Sequence, residues 1–225
     1  MFGFVAPTDA TEQFRAAELQ AIEADPQVAL GHAGLGMALF YTWDFDNTCE
    51  SFEEALRLNP SEPYAIHGDS DCLLLEGRFD ESVARARELL TISPFSAMHG
   101  LPLPGHLYMA RRFDEAITAA TAMQARVPQY SVHWVLARFF WQQGRFDEAL
   151  EEQRLEFERS GDTVLLAALE EGLDSGGPSG SMRAIAEALI ARSNETYVDP
   201  GDIAELYVRA GLVDEALLWL DKAVT

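Results

Sequence analysis

Lysine is nearly missing from this chain: fifteen of its sixteen basic residues are arginine and Lys222 is the exception, set against thirty-seven acidic residues for a formal net charge of −21 over 225 residues. Sequence-independent binding to nucleic acid relies on Lys and Arg to displace counterions from phosphates, so this balance excludes nucleic acid as an expected partner. An anionic membrane surface is disfavoured for the same reason. Cysteine is scarce as well. Cys49 and Cys72 lie in helical patterns and lack CxxC spacing, so both are expected as reduced thiols in a cytoplasmic protein, with Cys72 a small buried hydrophobe near the middle of a helix. No run of eighteen apolar residues occurs, so no membrane-spanning helix is expected. The opening Met1-Phe2-Gly3-Phe4-Val5-Ala6 has no basic stretch and is too short for the apolar core of a signal sequence. Apolar side chains are plentiful, at 48% of the chain with 10% aromatic, enough to build a core without a metal or disulfide staple.

That apolar content is periodic. Pro26, Pro60, Pro94 and Pro128 stand thirty-four residues apart each time, as do Phe45, Phe79 and Phe113, while Phe113 to Phe146 is thirty-three, one residue having been lost after Pro128. A short phrase recurs with them: "WDFDNT" from Trp43, "GRFDES" from Gly77, "RFDEAI" from Arg112 and "RFDEAL" from Arg145. Between these markers Leu35, Leu39, Phe45, Phe52, Ala55 and Leu56 mostly recur three or four apart, the spacing of amphipathic helices with a break near the Phe and another at the Pro. The unit is therefore a helical hairpin. Its aromatic wedges between helices, its Asp-Glu pair opens the second helix where the dipole favours negative charge, and its small residue permits close approach. The closing Pro drives the preceding residue out of the α region.

A hairpin of this length, with "LGMALFYTWDFDNTCESFEEALRLNP" (35–60), "GRFDESVARARELLTISP" (77–94), "RRFDEAITAATAMQARVP" (111–128) and "WVLARFFWQQGRFDEAL" (134–150), resembles the tetratricopeptide repeat. Gly36, Ser70 and Ala137 occupy the small position of its first helix, and Ser82, Ala116 and Ala149 that of its second, with Thr48 a mild departure. The resemblance implies an all-α, right-handed α-solenoid of about five and a half hairpins spanning 1–225 as a single array. The expected units are a half repeat at 11–25, repeats at 29–62, 63–96, 97–129 and 130–161, a degenerate repeat at 162–193 with a flexible loop "DSGGPSGS" (174–181), and a terminal hairpin at 199–224. "ISPFSAMHGLPLPGHLYMARRFDEAI" and "ETYVDPGDIAELYVRAGLVDEALLWLDKA" add a narrower resemblance, to the arrays carboxy-terminal to bacterial winged-helix transcriptional regulators and adenylate cyclases.

In this family the first helices line a concave face, which by position would carry Phe40, Tyr41, Tyr64, His67, Asp71, Met98, Tyr108, Met109, Trp134, Arg138 and Trp141. Aromatic, Met and Arg side chains of this kind suit an interface core. The Lys, Asn and Arg of the family's carboxylate clamp are absent, since Ala33, Met37, His67, Asp71, Leu101, Gly105, Trp134 and Arg138 stand at its key positions. His67 and Asp71 are four apart, a spacing that can serve a metal, but no third ligand falls in register and a hydrogen-bonded pair is expected. His99 and His106 are expected as unpartnered surface or groove histidines. "GHAGLG" (31–36) is expected as helix-crossing glycines, not a phosphate loop. In "HGLPLPGHLYMA" (99–110) internal prolines should delay or kink the first helix. The expected function is a non-catalytic protein-protein interaction or scaffolding module that holds a peptide or protein segment in an aromatic groove, with no cofactor and no metal. The alternatives are a regulatory region that self-associates or packs on its own effector domain, and an enzyme.

Overall fold

Each repeat reverses direction at one left-handed residue. Trp43, Gly77, Arg111, Gly144 and Gly211 have φ of 62°, 75°, 60°, 74° and 77°. Two residues later the next helix begins, at Phe45, Phe79, Phe113, Phe146 and Val213. Glycine takes this conformation freely, whereas Trp43 and Arg111 hold it against a Cβ clash. The computed structural model describes residues 7–223, and every regular element among them is a helix.

Among the described residues, 7–132 form one compact unit and 133–223 a second. The first contains α1 (Pro7–Ala24), α2 (Ala29–Phe40), α3 (Phe45–Leu58), α4 (Pro63–Leu75), α5 (Phe79–Ile92), α6 (Ala97–Gly100), α7 (Pro102–Met109) and α8 (Phe113–Arg126). The second contains α9 (His133–Gln142), α10 (Phe146–Ser160), α11 (Thr163–Arg192), α12 (Pro200–Ala210) and α13 (Val213–Ala223). Within each unit sequential helices pack as antiparallel neighbours and successive hairpins stack: α2 on α1, α3 and α4; α5 on α4 and α7; α11 on α10 and α12. The readings of Met1–Ala6 and of Val224 lie outside the described residues.

The recurring phrase works through its Arg and Glu. At the entrance to α5, α8 and α10 the guanidinium of Arg78, Arg112 and Arg145 forks onto the carboxylate of Glu81, Glu115 and Glu148 three residues on. That hydrogen bond holds each carboxyl below its usual range. The first repeat closes the same turn with the roles exchanged, the Asn47 amide donating to both oxygens of the Asp44 carboxylate three residues before it, at 2.9 and 2.8 Å. The small positions Thr48, Ser82, Ala116 and Ala149 are all buried. Phe52, 1% exposed, sits where a Cβ on Gly68 would approach within 2.1 Å of its ring. The ring thus fills the space that a missing side chain leaves on α4.

Three expectations are refined or corrected here. The Pro-rich stretch does delay its helix: α6 is a single turn, and after Leu101 the chain restarts with Pro102 in the first turn of α7, where a missing N–H costs nothing. The stretch 174–181 is not a flexible loop. Gly176 and Gly177 alone leave helical geometry, and the chain folds back so tightly that a Cβ on Gly172 would lie 2.5 Å from the Gly180 carbonyl oxygen. Ser181 donates to the Leu169 carbonyl across the same crossing at 2.8 Å. The cysteines are not free thiols: Cys49 on α3 and Cys72 on α4 form a disulfide, with Cα atoms 5.9 Å apart. Stacking one hairpin on the next brings together two residues twenty-three apart in sequence, which no local spacing announces.

Candidate functional site

In the amino-terminal unit the predicted residues surround a knot of imidazoles. Tyr64 on α4 stands edge-to-face with His99 of α6, ring centroids 5.0 Å apart, and His99 stands edge-to-face with His67 at 6.1 Å. One oxygen of Asp71 lies 3.6 Å from His67 Nε2, and the other accepts from His106 Nε2 of α7 at 2.9 Å. His106 Nδ1 is 2.8 Å from the Ser82 hydroxyl of α5, which also lies 2.8 Å from the Ser70 carbonyl. Both histidines expected as surface or groove residues are in fact buried, His99 to 6% and His106 to 4% exposure, and His106 is partnered. Both nitrogens of His99 and Nδ1 of His67 are buried without a hydrogen-bond partner. Burial pushes both rings below the usual imidazole range, with Asp71 and His106 acting in opposite senses on His67 and with His67 pressing His99 further down.

Elsewhere in this unit Phe40 packs edge-on against Tyr41 and Phe45, and Tyr108 against Phe113. Tyr41 at 59%, Met98 at 49% and Met109 at 52% stay exposed. In the carboxy-terminal unit Arg138 lies over the ring of Trp134, 5.7 Å from its centroid. Its guanidinium also forks onto Glu205 of α12, sixty-seven residues on, and Glu205 accepts from Arg209 too. Trp141 is held against Phe146 and the unit's apolar core, while Trp134 is 40% exposed. The eleven predicted residues are thus divided between two units, eight in the first and Trp134, Arg138 and Trp141 in the second.

Among the described residues no group of three or more His, Cys, Asp or Glu side chains is disposed to hold a metal ion, and no helix is long and apolar enough to cross a membrane. Two surface depressions lie away from the predicted positions, one between α4 and α5 around Asp69 and Arg85, the other around Leu103, Leu107 and Ala119.

Hairpins of this length, stacked in register with a left-handed turn in each, define an all-α helical-repeat protein of the solenoid class. Residues 106–162 match the tetratricopeptide repeat. The fold of the chain is similar to a tetratricopeptide repeat protein from Parabacteroides merdae (TM-score 0.62, 13% identity, 96% of this chain and 85% of that one). It is likewise similar to the tetratricopeptide protein TTC0263 of Thermus thermophilus (TM-score 0.55, 15% identity, 88% of this chain and 100% of that one). A third likeness is to the Cut9-Hcn1 hetero-tetramer of the APC/C, of whose matched chain this one spans 43% (TM-score 0.63, 13% identity, 95% of this chain). No curated protein sequence matches the chain.

Sequence reasoning about the groove misses Ser82 and Glu205, and it does not foresee that His99 and His106 are buried. Ser82 carries a signal, being hydroxylic where its counterparts Ala116 and Ala149 are not. The others have none, because their partners sit in other hairpins.

Proposed function

We propose that the chain is a non-catalytic protein-interaction module whose amino-terminal unit takes a peptide or protein segment along its first helices, around Phe40, Tyr41, Tyr64, Tyr108 and Met109. Tyr64, 37% exposed and edge-on to a His99 ring whose two nitrogens lack partners, is the observation that carries this function. Exposed aromatic and Met side chains bury large area at modest entropic cost, and a buried polar atom without a partner gains from any donor or acceptor brought to it. A peptide backbone supplies both. His67 lies beside the same ring and Asp71 beside His67, and the pair orients what docks there. In the carboxy-terminal unit Trp134 offers a second, smaller contact, with Arg138 fixed by Glu205 and Trp141 supporting from within.

The test is selection from a displayed random-peptide library on the immobilised chain, followed by titration of the winners. Tyr64→Ala and Met109→Ala are each expected to weaken the selected peptides by about tenfold or more, with far-UV circular dichroism unchanged. Peptides that bind both variants as they bind wild type would remove the groove from this role. Concentration-dependent sedimentation abolished by Tyr64→Ala would assign the same face to a second copy instead.

A further inference from the structure

The turn of the first hairpin is chemically unlike the turns that follow. Its positions 40, 41, 43 and 45 are all aromatic, as Phe40, Tyr41, Trp43 and Phe45; in the same register the second hairpin has Phe79 alone, the third Tyr108 and Phe113, and the fourth Trp141 and Phe146. The rings meet edge to face in a chain: Tyr41 to Phe40 at 6.2 Å between centroids, Phe40 to Phe45 at 5.7 Å, and Phe45 to Trp43 at 5.7 Å. The two outer rings stay in solvent, Tyr41 59% and Trp43 68% exposed. Trp43 has φ of 62° where Gly77, Gly144 and Gly211 turn freely. An indole is thus kept where the backbone favours no side chain, and it gains little burial there.

The charge beside the rings differs too. In the third hairpin Arg111 lies over Phe113, its guanidinium carbon 6.0 Å from the ring centroid, and in the fourth Arg145 lies over Phe140 at 4.4 Å. The residue before the opening Phe is Arg78, Arg112 and Arg145 in the second, third and fourth hairpins, but Asp44 in the first. Asp44 and Asp46 flank Phe45, and residues 33–56 carry five carboxylates and no Lys, Arg or His. The first turn therefore has the most ring surface, anionic neighbours and no guanidinium of its own. Exposed aromatic faces attract cations, and the planar, weakly hydrated guanidinium stacks on them well. We propose that the Tyr41–Trp43 turn binds an arginine side chain of a partner protein, laid over these rings as Arg111 and Arg145 lie over theirs. The inference rests on the peptide-binding reading above and gives one position of the docked segment its chemistry.

The probe is Nα-acetylarginine amide, titrated at fixed ionic strength into isotopically labelled chain, with the tryptophan indole N–H signals as the readout. The Trp43 signal is expected to move saturably while those of Trp134, Trp141 and Trp219 stay. Nα-acetylcitrulline amide, the neutral isostere, should not move it, and Nα-acetyllysine amide should bind several-fold more weakly. Trp43→Gly restores the glycine of the other turns and so keeps the fold; followed by the backbone amides of residues 41–45, it should weaken arginine binding by about tenfold. Asp44→Arg with Asn47→Glu writes the Arg–Glu fork of the later hairpins into the first, supplies an internal guanidinium, and should weaken binding likewise. Tyr64→Ala, which tests the peptide groove, should leave arginine binding as it was, so either reading can fail alone. Equal movement of the Trp43 signal by the citrulline or lysine amide overturns the proposal, as does unchanged affinity in Trp43→Gly. Movement of all the indole signals together, the mark of attraction by net charge alone, overturns it as well.

Discussion

At the scale of the residue, the turn position offers an internal comparison. Gly77 and Gly144 hold φ near +75° without strain, and Arg111 holds 60° with a side chain. A left-handed L-residue costs about 1–2 kcal/mol, and Arg111 returns little, its guanidinium lying 6.0 Å from the centroid of Phe113. Arg111→Gly is therefore expected to raise stability by roughly 0.5–1 kcal/mol, and Gly144→Ala to lower it by about 1 kcal/mol, both read from urea midpoints at constant slope. The buried histidines argue a pH effect. His67 and His99 hold fewer protons folded than unfolded, because burial disfavours their charged forms. Their contribution is thus complete above the ordinary imidazole value of 6.5 and is lost as pH falls below it toward the depressed folded values. The groups facing them are Tyr64 and Asp71 of α4 and His106 of α7, with Ser82 of α5 behind. Replacing His99 by Phe keeps a ring against Tyr64 and removes two unpartnered nitrogens, so it should raise the melting temperature and shrink its fall between about pH 7 and 5.5. A variant with the wild-type slope would show that the titration lies elsewhere.

At the scale of the element, the Cys49–Cys72 bond ties α3 to α4 around a sequence separation of twenty-three residues. Loop closure of that length is worth about 3 kcal/mol in the chain-entropy account. Reduction, or Cys49→Ser with Cys72→Ser, should lower the melting temperature of the amino-terminal unit, measured with and without dithiothreitol. The crossing inside α11 is less forgiving. A methyl on Gly172 meets backbone at 2.5 Å, so Gly172→Ala should cost about 1–3 kcal/mol by overpacking. Such contacts explain what was legible in the sequence and what was not. The hairpin period was open to view because Pro60, Phe79 and Ala116 each repeat a local physical task. The fold-back at Gly176 was not, since a Gly-Pro-Ser-rich stretch reads alike whether it swings free or closes a tight turn. Likewise Arg138 gave no sign of Glu205, nor His106 of Asp71. Those pairs depend on which hairpin faces which, and a repeat pattern carries that information only by counting repeats correctly.

At the scale of the whole molecule, charge decides. Sixteen basic side chains can neutralise at most sixteen of thirty-seven acidic ones, leaving −21 spread over 225 residues. Many ion pairs here join Arg to Glu across one turn at the surface, as in Arg57–Glu54 and Arg159–Glu156, and exposed pairs of this kind contribute little and weaken with salt. Unpaired carboxylates such as those of Glu53 and Glu158, exposed on second helices, repel one another over distances that salt shortens from about 30 Å at 0.01 M to about 10 Å at 0.1 M. The two effects oppose. Repulsion is the larger, because the excess of one sign has no partner anywhere on the chain, whereas each lost pair is small. Added sodium chloride should therefore raise the melting temperature from 0.01 M upward and level off where the screening length falls to the spacing of neighbouring side chains. Potassium chloride should act alike, since screening depends on ionic strength and not on the cation. A melting temperature that falls over this range would mean that the surface Arg–Glu forks, Arg78–Glu81 and its repeats, carry more of the fold than their exposure allows.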